Sequence, residues 1–428
     1  MIKSKERKKI IELVRREVVP AMGCTEPAAV SLAVAKATEI LGGVKPEKIV
    51  VYLSANILKN AMGVGIPGTG MIGLPIAIAL GALIGKSEYQ LEVLKEITPQ
   101  ALEDGKKMIA DKRIDIHLKN DAPDKLYIEV LASAGNDTAK AVIIGQHTNI
   151  CYVEKNGKVL LDHRPAPDRK SESDAPPLTM RKLYEFATEA PLEEIDFILE
   201  AARLNREAAV ISLQGDYGHS IGKTLAGKYE QYLMGNSLLS KILSCTSAAC
   251  DARMAGAMIP VMTNSGSGNQ GITATVPIVV YAEETNQPQD KLVRALMLSH
   301  LTAIYIKMYL GRLSALCGCV VAGTGSACGI TYLMGGNYRQ ITYAVQNMIA
   351  NITGMICDGA KPSCALKVTS GIATAVLSAM MAMEHKTVSS IEGIIDSDVD
   401  QTIRNMALIG KDGMNEIDRL VLQIMTGK

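Results

Sequence analysis

Before residue 165, several stretches of this 428-residue chain repeat apolar residues at every second position; after residue 178 almost every stretch repeats them at helical spacing. One kind of element cannot serve both periods. Period two buries one face of a strand, and period 3.6 buries a stripe along a helix. The change therefore predicts an α+β N-terminal domain with an antiparallel sheet over residues 1–170. A mostly α-helical C-terminal domain follows over residues 171–428. The length suits two or three domains of ordinary size.

In the first part, EKIVVYLSANILK begins as a strand, and RIDIHLKN, KLYIEVLAS, KAVIIGQHTNICYVEKN and GKVLLDHR alternate between turn residues. Asn156-Gly157 is a hairpin signal. Residues 1–40 read as two helices broken at VVPAMGCTEPAA, with Thr25 capping the second and Pro27 in its first turn. Another helix is expected over residues 91–111. The polar, proline-rich stretch 165–177 reads as a linker. In the second part, glycine-rich polar loops are expected at 215–223, 263–271, 318–329 and 357–363. Loops held by a rigid scaffold are where function concentrates.

There is no Trp and there are 2 Phe, against 21 Met and 37 Gly, so core volume must come from aliphatic side chains and close Gly and Ala contacts between helices. The formal net charge of +1 and the lack of a basic run with interleaved aromatics argue against a nucleic-acid partner. MIKSKERKKIIELVRREVV is charged and lacks the apolar region of a signal peptide, so the expected location is the cytoplasm. Segments 60–85, 254–282 and 313–338 are uncharged and long enough to span a bilayer, but are full of Gly and carry amides and hydroxyls. They read as buried small-residue helices and loops around a site, with a membrane transporter as the alternative class.

Nine cysteines, clustered late and without an export signal, point to metal binding or catalysis rather than a disulfide framework. Cys317, Cys319 and Cys328 lie in LCGCVVAGTGSACG; Cys357 and Cys364 lie in MICDGAKPSC. These spacings match neither a zinc ribbon nor a ferredoxin run, and buried structural thiols explain them equally. Cys24, at a helix start in GCTEPAA, suits a thiolate base, or a small buried residue. The loop MTNSGSGNQGI offers Asn264, Ser265, Ser267, Asn269 and Gln270 for a carboxylate or phosphate. Asn56 and Asn60 precede the Gly loop 63–70, and GDYGHSIGK carries Asp216, His219 and Lys223. His147 reads as structural. A pyridoxal-phosphate lyase would need a Schiff-base lysine, for which Lys241 is the nearest candidate in surroundings that do not fit.

GCTEPAAV, SGSGNQG, CGCVVAGTGSACG and GMICDGAKPSCALK together resemble the L-cysteine desulfidases, a group related to the α subunit of bacterial iron–sulfur L-serine dehydratases. The resemblance covers nearly the whole chain. It implies a [4Fe–4S] cluster on Cys319, Cys357 and Cys364, with Cys317 the rival for the first position and Cys328 not a ligand. Three thiolates would leave one iron open to substrate sulfur. The expected reaction is β-elimination of L-cysteine to sulfide, ammonia and pyruvate; an L-serine dehydratase is the alternative. In that reaction the 263–271 loop, with Asn56, is expected to hold the carboxylate of a small amino acid, and Cys24, as a thiolate at a helix start, is expected to be the base. A homodimer is compatible with this reading.

Overall fold

The structure, a computed structural model, describes residues 2–164 and 176–427. Most of the expected linker therefore lies outside the described residues. Helices of seven residues or more are numbered here in chain order.

The chain starts with α1 (Ser4–Glu17), a short strand β1 (Pro20–Met22) and α2 (Thr25–Ile40). β2 (Lys48–Leu53), α3 (Ala55–Ala61), α4 (Leu74–Leu83) and α5 (Pro99–Ala110) follow. Next come β3 (Ile114–Leu118), β4 (Tyr127–Ala134), β5 (Asp137–Ile144), β6 (Ile150–Lys155) and β7 (Lys158–Asp162). Six strands form one sheet in the order β3-β2-β4-β5-β6-β7. All neighbours are antiparallel except β2 and β3, which run parallel. A parallel pair needs a long crossover, and α3, α4 and α5 supply it. α2 covers one face of the sheet, packing Leu32, Ala33 and Val34 with Val51, Val130 and Ala141.

The helix expected over 91–111 begins only at Pro99. Thr98 accepts a hydrogen bond from the Ala101 amide at 3.2 Å, and proline at the first position fixes the entry.

The second part contains α6 (Met180–Glu189), α7 (Leu199–Gln214), α8 (Leu238–Met254), a short strand β8 (Pro260–Met262), α9 (Gly268–Glu284) and α10 (Gln289–Leu310). It ends with α11 (Gly318–Leu333), α12 (Tyr338–Ile352), α13 (Cys364–Met383), α14 (Val399–Leu408) and α15 (Asn415–Thr426). β1 pairs antiparallel with β8, and α1 packs into the same apolar cluster as the helices.

The glycine-rich stretch 318–329 is helix rather than the expected loop. α11 runs through the middle of the helical part, against α9, α10, α12 and α13. Its glycines are there for close approach: a Cβ on Gly325 would lie 2.4 Å from the Ser299 carbonyl oxygen, and one on Gly329 3.0 Å from that of Ala295. Tertiary contact outweighs the roughly 1 kcal/mol that each glycine costs a helix. This is the small-residue packing that a chain poor in aromatics requires.

Each uncharged segment resolves into loop plus one helix shorter than a membrane span: α4, α9 and α11. Among the described residues one helix, α13, is long and apolar enough to cross a membrane.

A thiol-lined cavity as candidate active site

Leu316 forms an antiparallel bridge with Ile356. The Cys317 amide donates to the Met355 carbonyl at 2.9 Å, and the Cys357 amide donates to that of Ala315 at 2.6 Å. Alternation in this short ribbon puts residues 317 and 357 on one side, opposite 316 and 356. Cys317 is the N-cap of α11, Cys319 lies in its first turn, and Cys364 opens α13. All four thiols line one cavity of about 90 Å3. That is several times the roughly 10–15 Å3 needed for a single water.

Lysines fasten the 356–359 backbone. Lys59, fully buried, donates to the Cys357 carbonyl at 3.1 Å and pairs with Asp418. Lys361 donates to the carbonyls of Asp358 and Gly359, each at 3.1 Å. Lys367 donates to that of Ile356 at 2.8 Å and pairs with Asp358. Gly359, at φ +92°, passes the Lys59 carbonyl so closely that a Cβ would sit 2.5 Å from it.

The same cavity is also lined by Cys24, Glu26, Asn60, Arg253, Ser267 and Asn269. Arg253, at the end of α8, is buried and donates to Asn269 Oδ1 at 3.0 Å. Among the described residues it makes no ion pair, and its Nε has no partner. A Cβ on Gly268 would lie 2.1 Å from that Nε, so glycine there makes room for the guanidinium. Asn60 Oδ1 is also buried without a partner. Unpaired buried groups of this kind are costly unless a ligand completes them.

Cys24 caps α2 but its thiol does not bond the helix backbone. It donates to Glu26 Oε2 at 3.0 Å. Burial, then the charge of Glu26, pushes this thiol well above its ordinary range, so it is protonated at neutral pH and not the preformed thiolate that a helix start suggests. Burial works against the Glu26 carboxylate, but His147, the Cys24 hydrogen bond and Arg253 outweigh it and hold its pKa below the usual value. His147 is itself held at about 4, chiefly by burial. The Cys317 and Cys319 sulfurs lie 3.1 Å apart. The hydrogen bond from Cys319 brings Cys317 down to about 7, and the same bond, then burial, pushes Cys319 up. Cys364 is raised to about 11 by burial.

Four of the residues expected to bind substrate do not line this cavity. Asn56 donates to Asp418 at 3.0 Å, tying α3 to α15. Asn264 donates to His300 Nδ1 and to the His300 carbonyl, both at 3.1 Å, and anchors the loop on α10. Ser265, at φ +48°, donates to Asn264 Oδ1 and lines a separate cavity with Glu17, Lys307 and Arg312. Gln270 is buried behind Gly318. Ser267 and Asn269 do reach the cavity. Lys241 pairs with Glu284 in another cleft, and Lys223 pairs with Asp216 at the surface.

A profile of the serine dehydratase alpha chain matches residues 88–423. This chain belongs to that family. The family match runs from before α5 into α15 and includes the four cavity cysteines Cys317, Cys319, Cys357 and Cys364, as well as Arg253. Relatives cover nearly the whole chain. A UPF0597 protein of Bacteroides fragilis is 68% identical over 423 residues, 99% of both chains. UPF0597 proteins of Bacteroides thetaiotaomicron and Porphyromonas gingivalis are 66% and 55% identical, covering 100% and 99% of this chain and 99% of each relative.

Members of this family are linked to an iron–sulfur cluster, and the cavity fits one. Thiolates are the soft donors iron–sulfur clusters take. Arg253 and the three lysines place positive charge around them. Among the described residues no three His, Cys, Asp or Glu converge as a single metal ion requires. A multinuclear cluster is met by thiols spread around a cavity, which is the arrangement present.

The residues missed from sequence are Arg253 and Glu26. Arg253 left a signal: between Ile242 and Met254, α8 carries only two charged residues, Asp251 and Arg253, among small ones. Glu26 lies in the helix-start phrase GCTEPAA, where an acid in the first turn is ordinary.

Proposed function

We propose that this protein is an iron–sulfur-dependent L-cysteine desulfidase, converting L-cysteine and water to sulfide, ammonia and pyruvate. The observation that carries the reading is one cavity lined both by these four thiols and by a buried arginine that makes no ion pair among the described residues. When bound, a [4Fe–4S] cluster supplies a soft Lewis acid for the β-sulfur of the substrate. Cys357 and Cys364 would hold it with a third thiol from Cys319 or Cys317. The shared ribbon face with Cys357 favours Cys317.

The protein's own groups do the rest. Arg253 binds the α-carboxylate through charge-assisted hydrogen bonds, with Asn269 holding the guanidinium in place. Ser267 and Asn60 offer a hydroxyl and an amide oxygen to the amino acid. The Cys24 side of the cavity takes the Cα proton as the Cβ–S bond breaks. The resulting 2-aminoacrylate tautomerises to the imine and hydrolyses to pyruvate and ammonia. The exposed face of α13 formed by Leu366, Leu377 and Met380 offers a surface for a second copy of the chain.

The family description favours a second substrate, L-serine, eliminated as water on the same residues. Oxygen-free protein offered each amino acid separates the two. Higher kcat/KM for L-cysteine, with sulfide formed, supports the proposal. Pyruvate from L-serine with no sulfide from L-cysteine reassigns the substrate.

A further inference from the structure

Glu26 is an acid in an unusual place. It follows Cys24 by two residues in the first turn of α2, is almost fully buried, and has no Lys or Arg within ion-pair distance among the described residues. Its carboxylate is held by neutral donors. Oε2 accepts from the Cys24 thiol and from Thr25 Oγ1, each at 3.0 Å, and Oε1 accepts from Asn60 Nδ2 at 3.0 Å. His147 Nε2 lies 4.0 Å from Oε1. Thr25 Oγ1 also lies 2.8 Å from the Gly266 carbonyl oxygen, so its one hydroxyl hydrogen is shared between the two acceptors, and the contact fixes this corner against the loop before α9. Arg253, from α8, lines the same cavity and its charge acts on both groups. A buried carboxylate held only by neutral hydrogen bonds is expensive to keep for structure alone. Both Cys24 and Glu26 line the cavity, so both are open to whatever it binds.

We infer that Cys24 and Glu26 act as one proton-accepting unit, with Glu26 the final acceptor of the substrate Cα proton. This rests on the elimination proposed above. The resting pair carries one proton, on sulfur, and one negative charge, on the carboxylate. In the elimination, the Cα–H proton moves to Cys24 Sγ while the thiol proton moves along the existing hydrogen bond to Glu26 Oε2. The Cα–H electron pair forms the Cα=Cβ bond, and the Cβ–S pair leaves on sulfur. The unit ends neutral, as thiol and carboxylic acid, and the added proton is returned to the departing sulfide. No free thiolate is required at any stage. That removes the conflict between a base role for Cys24 and a thiol that burial keeps protonated.

The test uses oxygen-free, iron-replete protein and has two readouts. One is turnover; the other, independent of substrate, is the pH dependence of Cys24 alkylation by iodoacetamide, followed on its peptide by mass spectrometry. In Glu26→Gln, turnover is expected to fall about 10²–10⁴-fold with iron content retained. The alkylation inflection of Cys24 is expected to move to lower pH, because the neighbouring negative charge is gone. Glu26→Asp is expected to recover part of the turnover. An unchanged alkylation profile in Glu26→Gln, or near-normal turnover, overturns the inference. Should Glu26→Gln not fold, Glu26→Asp carries the test alone. Its shorter side chain lengthens the gap to Sγ, and wild-type values of both readouts would then count against the pair. If no amino acid is turned over, the alkylation shift still decides the pairing, and only the elimination reading is lost.

Discussion

Leu316 and Ile356, forty positions apart, pair across an antiparallel bridge, and that pairing brings the two late cysteine phrases together. It places Cys317 beside Cys357 and leaves Cys319 one half-turn along α11. Replacing Cys357 or Cys364 singly by Ser is expected to lose most cluster iron. Between the rivals, Cys317→Ser is expected to lose more than Cys319→Ser. Iron and acid-labile sulfide, measured on protein kept free of oxygen, check the order; equal loss from both would mean that each thiol is needed.

Arg253 is a buried cation whose Nε lacks a partner. Its replacement by Lys removes the planar fork that meets a carboxylate with two parallel bonds. Arg253→Lys is expected to lower kcat/KM for L-cysteine about tenfold to a hundredfold, mostly through KM, as one or two lost hydrogen bonds to charge predict. Steady-state kinetics at fixed iron content would show it. An unchanged KM would place the carboxylate elsewhere.

The close approach of α11 to α10 predicts a stability effect without a catalytic one. A Cβ at Gly325 meets the Ser299 carbonyl at 2.4 Å, and backbone cannot step aside as a side-chain tip can. Gly325→Ala is expected to cost about 1–3 kcal/mol, the usual range for overpacking. Urea denaturation of cluster-free protein would report it as a lower midpoint.

Two buried histidines predict how stability depends on pH. His300 is held at about 3 and His147 at about 4, both by burial, below the ordinary value near 6.5. His300 Nδ1 accepts from Asn264, so Nε2 carries the proton and donates to Thr275 Oγ1 at 3.0 Å, a network that needs the neutral ring. The unfolded chain thus binds more protons than the folded one between these values. Stability is fully present above about pH 6.5 and is lost as pH falls towards 4 and 3. Chemical denaturation at pH 7, 6, 5 and 4 should show that decline. His300→Asn should flatten it, at the cost of lower stability at pH 7.

The change of hydrophobic period announced the sheet and the helical part because burial of one face imposes it. What a period cannot carry is contact between distant segments. The β1–β8 pairing is three residues on each side, too short to leave an alternation. Glycine in 318–329 read as loop because propensity acts locally, while the partners that make glycine necessary, Ser299 and Ala295, come from another helix. The same limit governed the site. The cysteines and the 263–271 loop stood out by residue type, and Cys24, Ser267 and Asn269 do reach the cavity with the late thiols. Asn56, Asn264 and Ser265 have the same chemistry on paper but spend it on Asp418, His300 and a neighbouring amide. Glu26 and Arg253 were visible as letters. Their importance follows from being charged and buried with no ion pair to a Lys, Arg, Asp or Glu among the described residues, which only the fold reveals.

Removal of sulfur from an amino acid in this cavity is decided by incubating oxygen-free, iron-replete protein with L-cysteine. Sulfide, ammonia and pyruvate are expected in equal amounts, at a rate proportional to bound iron. Iron-replete protein that releases no sulfide from L-cysteine would contradict this expectation.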